Sequence, residues 1–236
     1  MSDQLNQNLE IISTYLKKIP FCEGVIFSGS RLKGTHSANS DYDFTVLISQ
    51  GKAYYKIWQY KNYLIDICCA TAKVIKEKDL TNERVANAEL YILASGQILF
   101  DKFGNLKKLQ TTAQKIWKNG PKKITKNDTI EIGYAFKTYT GDLKNLIEKN
   151  FDGYYFQNYV IQNVTKFFFK LHKEWQPRPR DIEQRIQIID RIFWKLYKEV
   201  NVSINKNRSI KIIKMIEYLV KKFKLPQTGE IYFLKK

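Results

Sequence analysis

Two aspartates, Asp41 and Asp43, stand two residues apart at the head of an apolar run, Phe44-Thr45-Val46-Leu47-Ile48. On a strand, residues i and i+2 point to the same face, so the two carboxylates lie side by side. Like charges that close repel and raise each other's pKa unless a cation sits between them. A hard divalent cation is the natural partner, since Mg²⁺ takes one or two carboxylates together with substrate phosphate oxygens. Upstream, the apolar run Val25-Ile26-Phe27 breaks at Gly29-Ser30, where a backbone without a Cβ can come close to an anion. Downstream, Asp66 falls within Leu64-Ile65-Asp66-Ile67. A carboxylate inside an apolar strand costs several kcal/mol unless paired. Asp66 is therefore either an edge-strand acid facing water or the third member of a carboxylate cluster, and the cluster is the favoured reading.

Gly, Ser, Asn and Asp also form turns, and Asp-x-Asp alone is common by chance. The ordered combination is much rarer. Gly29-Ser30-Arg31-Leu32-Lys33-Gly34, then Ser40-Asp41-Tyr42-Asp43-Phe44, then Asp66 resembles the signature of the DNA-polymerase-β-like nucleotidyltransferase superfamily. It is similar to the small bacterial two-domain members of aminoglycoside type. The resemblance covers residues 24–70 well and the rest by general layout.

The resemblance implies transfer of a nucleoside monophosphate, AMP from ATP in the first instance, to a hydroxyl of a small molecule. It implies two Mg²⁺ ions, with Mn²⁺ as a substitute, and ATP or another nucleoside triphosphate as co-substrate. Two cations about 4 Å apart stabilise both the attacking and the leaving oxygens. Asp41 and Asp43 would bridge both ions. Asp66 would hold the ion that activates the nucleophile, and is one candidate for taking the hydroxyl proton. Gly29 would let the backbone approach the triphosphate, and the Ser30 amide and hydroxyl would donate to it. Arg31 or Lys33 would add charge there. In relatives that modify small molecules a helical domain forms the other wall of the cleft and can supply the general base; Asp142, Glu148 and Asp152 are candidates. Arg178 and Arg180, on the stiff Gln176-Pro177-Arg178-Pro179-Arg180 loop, are either exposed loop residues or arms that reach the triphosphate.

Other chemistries are excluded by what is missing. Gly29-x-x-x-x-Gly34 has P-loop spacing, but Thr35-His36 replaces the required Lys-Ser/Thr. Three cysteines without a Cys-x-x-Cys, the adjacent pair Cys68-Cys69 facing opposite ways on a strand, argue against zinc and a disulfide framework. His36 reads as a solvated loop residue and His172 as a helix-surface one. The opening residues lack a basic-then-apolar leader, and no apolar run reaches the ~18 residues a membrane span needs, so the expectation is a soluble, cytoplasmic protein without a membrane partner.

Net charge is +17, and residues 121–236 hold 24 Lys+Arg against 12 Asp+Glu. Such a balance points to an anionic partner. The lysines are scattered through helices, so nucleic acid is a less favoured partner than a small acceptor. RNA- or protein-directed transfer, including antitoxin-like AMP transfer, is the alternative. A catalytically silent nucleotide- or RNA-binding protein is a third reading, opposed by the presence of all three acids.

The elements that must position these residues follow from periodicity. Leu5, Leu9, Ile12 and Leu16 mark a helix over 4–18. Strands are expected at 24–28 and 44–49, and a hairpin at 53–60 and 63–69 around Lys61-Asn62. Two helices follow at 72–79 and 81–95, the second with half a capping box at Thr81 and Arg84. A short strand at 97–101 and a helix at 104–118 end at Asn119-Gly120-Pro121. Beyond that joint, four helices are expected: one capped by Asn127 or Asp128 and running to 150, then 154–174, a continuous one from Asp181 through Val200, and 207–224. The expected fold class is α+β: a nucleotidyltransferase domain over 1–120, a small mixed β-sheet flanked by helices, and a substrate-binding helical bundle over 121–236, with the site in the cleft between them.

Overall fold

A computed structural model describes residues 3–75 and 88–228. The chain divides into two compact units, Met1–Gly120 and Pro121–Lys236, in an α+β architecture.

The first unit is built on a five-stranded mixed sheet of order β3-β4-β2-β1-β5. The strands are β1 (Cys22–Ser28), β2 (Tyr42–Ile48), β3 (Tyr54–Tyr60), β4 (Tyr63–Thr71) and β5 (Gln97–Asp101). β2 and β4 run parallel, and every other pairing is antiparallel. Alternation sorts the side chains into two faces. Val25, Phe27, Phe44, Val46, Ile65, Ile67 and Cys69 point one way and pack on Leu9, Ile12 and Leu16 of α1 (Asp3–Leu16). The opposite face carries Gly24, Ile26, Ser28, Asp43, Thr45, Asp66 and Cys68. α4 (Ala88–Ser95) and α5 (Asn105–Asn119) cover its β1 end, with Leu106 against Gly24. The short helices α2 (Gly29–Leu32) and α3 (Ala72–Ile75) follow β1 and β4. Of the expected helices at 72–79 and 81–95, residues 76–79 and the Thr81–Arg84 start lie outside the described residues.

The second unit is helical: α6 (Lys126–Glu148), α7 (Tyr154–Leu171), a 3₁₀ turn at Pro179–Asp181, α8 (Ile182–Ile189), α9 (Arg191–Val202) and α10 (Asn205–Phe223). α10 packs on α6, α7 and α9 around Phe136, Val164, Phe168, Phe193, Ile212 and Leu219.

Three features of the helical unit differ from the sequence expectation. Thr125, not Asn127 or Asp128, caps α6: its side chain accepts from the Asp128 amide, and the Asp128 carboxylate closes a capping box onto the Thr125 amide. The long helix from Asp181 is two helices, because Asp190 leaves helical geometry (φ −151°, ψ 98°) and caps α9, accepting from the Ile192 and Phe193 amides. The unit therefore has five helices among the described residues rather than four. His172 is not a surface residue. Its ring lies between Phe168 and Phe223 and against the Phe168 carbonyl, and burial pushes its pKa down.

Asp190 also accepts from Tyr218 (2.8 Å) and Lys222 (2.6 Å) of α10. Burial works to raise its carboxyl pKa, but Lys222, the Phe193 amide and Tyr218 outweigh it and hold the group low. Asp128 is likewise held at about 2, as Lys170 and Thr125 overcome burial. Groups depressed in the fold stabilise it fully above the ordinary carboxylate pKa of 3.8 and lose that contribution as pH falls through the folded value. Asp190→Ala should cost about 2–4 kcal/mol, for a lost cap and lost charge-assisted hydrogen bonds. In thermal melts followed by circular dichroism, the gap between variant and wild type should be full at neutral pH and close below pH ~4.

Candidate active site

The site grows from the register of three strands. Ser28, the last residue of β1, pairs with Asp43 on β2, and Asp43 pairs with Asp66 on β4. Directly paired residues share a face, so Ser28, Asp43 and Asp66 form a row across the sheet. Asp41, two residues before Asp43, extends it. One carboxylate oxygen from each of Asp41, Asp43 and Asp66 lies within 4.8 Å of the others. Asp41 is exposed, and the other two are half-buried.

The electrostatics call for a cation. Burial, then the neighbouring Asp41 charge, push the Asp66 carboxyl pKa up, against the lowering pull of the Ile67 amide. Neither Asp41 nor Asp66 has a salt-bridge partner among the described residues. An all-oxygen, carboxylate-rich donor set converging on one point fits a hard divalent ion.

Gly29 sets how closely the loop approaches these acids. Its φ is +83°, which side chains rarely tolerate, and a Cβ there would fall on Oδ2 of Asp43. Ser30 follows, buried in the first turn of α2. Ser28 Oγ donates to the Asp43 carbonyl (3.3 Å), tying the β1 end to the strand that carries the acid.

Arg31, expected to add charge beside the phosphates, sits against the loop that carries Asp41. It is buried, its Nε donates to the carbonyls of Ser40 (3.0 Å) and Asp41 (3.1 Å), and Nη2 donates again to Ser40. Its guanidinium lies over the rings of Tyr42 (4.3 Å) and Tyr63 (4.8 Å). With Nε and Nη2 on loop carbonyls and two rings against it, Arg31 holds the loop that delivers Asp41. Lysine cannot reproduce the planar fork. Arg31→Lys should therefore cost about 2 kcal/mol of stability and lower transfer about tenfold. A variant with wild-type melting and wild-type activity would contradict this positioning role.

A cleft of about 260 Å³ opens on the same face, lined by Ser28, Asp43, Thr45, Tyr55, Asp66 and Cys68, with Ile92 and Leu93 of α4 opposite. Thr45 and Cys68 are one alternation beyond the acids on their strands, so the strand period already carried that signal. Cys69, facing the other way, is buried in the core. His36 is exposed in the loop. In the helical unit Asp142, Glu148 and Asp152 are exposed, and Arg178 and Arg180 pair with Asp181 (3.2 and 3.9 Å).

Residues 10–103 match the family described as Polymerase beta, Nucleotidyltransferase. The first unit carries a polymerase-β-like nucleotidyltransferase domain. A solved structure, a nucleotidyltransferase-like protein from Exiguobacterium sibiricum 255-15, is similar with a TM-score of 0.55 at 14% identity. That similarity covers 92% of this chain and 75% of the other, and at such identity it speaks to the fold alone. No curated protein sequence matches the chain. The family assigns the nucleotidyltransferase domain its general activity, nucleotidyl transfer. No described helix is long and apolar enough to cross a membrane.

Proposed function

We propose that the protein transfers a nucleoside monophosphate, AMP from ATP, to a hydroxyl of a small acceptor. The observation that carries this reading is the convergence of Asp41, Asp43 and Asp66 on one face of the sheet, beside a glycine turn that meets Asp43 with no room for a side chain.

The residues divide the work as follows. Asp41 and Asp43 would hold two Mg²⁺ ions in common, and Asp66 would hold the one on the acceptor side. Such ions supply Lewis-acid stabilisation of the charge that develops on the phosphate oxygens and the departing pyrophosphate. Gly29 keeps the loop backbone close to the triphosphate, and Ser30 offers its amide and hydroxyl as donors. Asp66 would also take the acceptor's proton. Arg31 keeps Asp41 in reach. The helical unit, residues 121–236, is the proposed acceptor-binding domain, and Asp142, Glu148 or Asp152 is the alternative base.

The basic excess of residues 121–236 favours a second reading, in which the acceptor is RNA or protein. Incubation with labelled ATP, Mg²⁺ and separate panels of aminoglycosides, tRNA and cell lysate distinguishes them. Label on a small molecule supports the first reading. Label on tRNA, with binding that weakens steeply as salt rises, supports the second. Absence of label from every panel would count against both.

A further inference from the structure

Two helix starts meet in the helical unit, and both lack a side-chain cap. α7 begins at Tyr154 after Gly153 and α10 at Asn205 after Ile204, and neither preceding residue makes a capping side-chain hydrogen bond. Gln157, one turn into α7, donates from Nε2 to the Asn205 carbonyl (3.2 Å) and to Ser209 Oγ (2.9 Å). These bonds hold the first turn of α10 against the first turn of α7. Arg208, one turn into α10, lays its guanidinium over the Tyr154 ring at 4.7 Å. The first turns of two long helices thus meet beside a guanidinium.

Arg208 is only 6% exposed, has no ion-pair partner among the described residues, and its Nε and Nη1 are enclosed without a hydrogen-bond partner. An unpaired buried ion is costly. The positive ends of the helix dipoles add to that cost, and stacking on Tyr154 offsets only part of it. An anion closes this deficit. The remaining unpartnered atom narrows its chemistry: Oε1 of Gln157, on a side chain 1% exposed, is an acceptor without a donor. The matching ligand offers both acceptor oxygens and a proton, as hydrogen phosphate does and sulfate does not. The Tyr154 ring lies over the guanidinium and is itself 62% exposed.

We propose that the junction of α7 and α10 is a phosphate-binding site. Arg208 and the first-turn amides donate to the phosphate oxygens, Gln157 Oε1 accepts the phosphate's own proton, and Tyr154 closes over the ion. The site does not rest on the nucleotidyl-transfer reading.

The test is calorimetric titration of the full chain with inorganic phosphate in EDTA, which silences metal-dependent binding at the carboxylates. Sulfate at matched ionic strength and a glycerol phosphate are run in parallel. One phosphate should bind per chain, about tenfold or more tighter than sulfate. Arg208→Lys keeps the charge but loses the fork, and should weaken phosphate about tenfold. Tighter binding of the free ion or of the ester tells which form the site takes, and either supports it. No binding heat at millimolar phosphate, sulfate binding as well as phosphate, or undiminished binding by Arg208→Lys would each overturn it.

Discussion

Asp43→Asn should lower nucleotidyl transfer by about 10³-fold or more, a loss of ~4 kcal/mol of transition-state stabilisation, with circular dichroism unchanged. The substitution keeps the side chain's shape. The bond that ties this point of β2 to β1 uses the Asp43 backbone carbonyl rather than its carboxylate, so that bond survives the substitution. Stability should move the other way. Asp43 is one of three carboxylates gathered within 4.8 Å, and without metal each one repels the others. In EDTA the variant should melt at or above the wild-type temperature. That pairing of lost activity with retained or raised stability is the mark of a site residue, since functional charge clusters are held at a cost to the fold. A variant that melts well below wild type would instead assign Asp43 a structural role.

Gly29→Ala should be nearly as damaging by a different route. Alanine at φ +83° costs about 1–2 kcal/mol. Its Cβ would also occupy the place of Asp43 Oδ2, so either the loop or the carboxylate must move. A displacement of about 1 Å in a reacting constellation costs on the order of 10²-fold. Gly34 is the control. It too has a positive φ, +69°, but open space surrounds the position of a Cβ. Gly34→Ala should show a similar loss in melting temperature and little loss of activity. Equal activity losses at the two glycines would mean that backbone strain, and not the approach to Asp43, explains the effect.

Much of this arrangement is legible in the chain because strand alternation is a strict rule. Asp41 and Asp43 share a face once the run after them is read as a strand, and Cys68 and Cys69 must then part company. The carboxylate cluster also needs Asp66 on a strand parallel to β2, which the hairpin from β3 provides. Features that depend on partners distant in sequence were not legible. Asp190 looks like one polar position in a continuous helical stripe. What breaks the stripe is its capping of α9 together with Tyr218 and Lys222, 28 and 32 residues away. Arg31 reads as a charge beside a phosphate loop until Tyr42, Tyr63 and the Ser40 carbonyl are in place around it. His172 reads as exposed until Phe223 of α10 arrives at its ring. The capping choice at α6 turned on a smaller matter: Thr125 and Asp128 form a reciprocal pair, which one favourable residue at 127 or 128 cannot match.

The central claim is that the carboxylate cluster moves a nucleotidyl group, and the position of the label in ATP tests it most directly. The full chain is incubated with Mg²⁺ and lysate, in one arm with ATP labelled at the α-phosphate and in the other at the γ-phosphate. The account requires α-label to pass to an acceptor while γ-label leaves as pyrophosphate, with both processes lost in Asp43→Asn. Transfer of γ-label to the acceptor, or α-label transfer that survives Asp43→Asn, would contradict it.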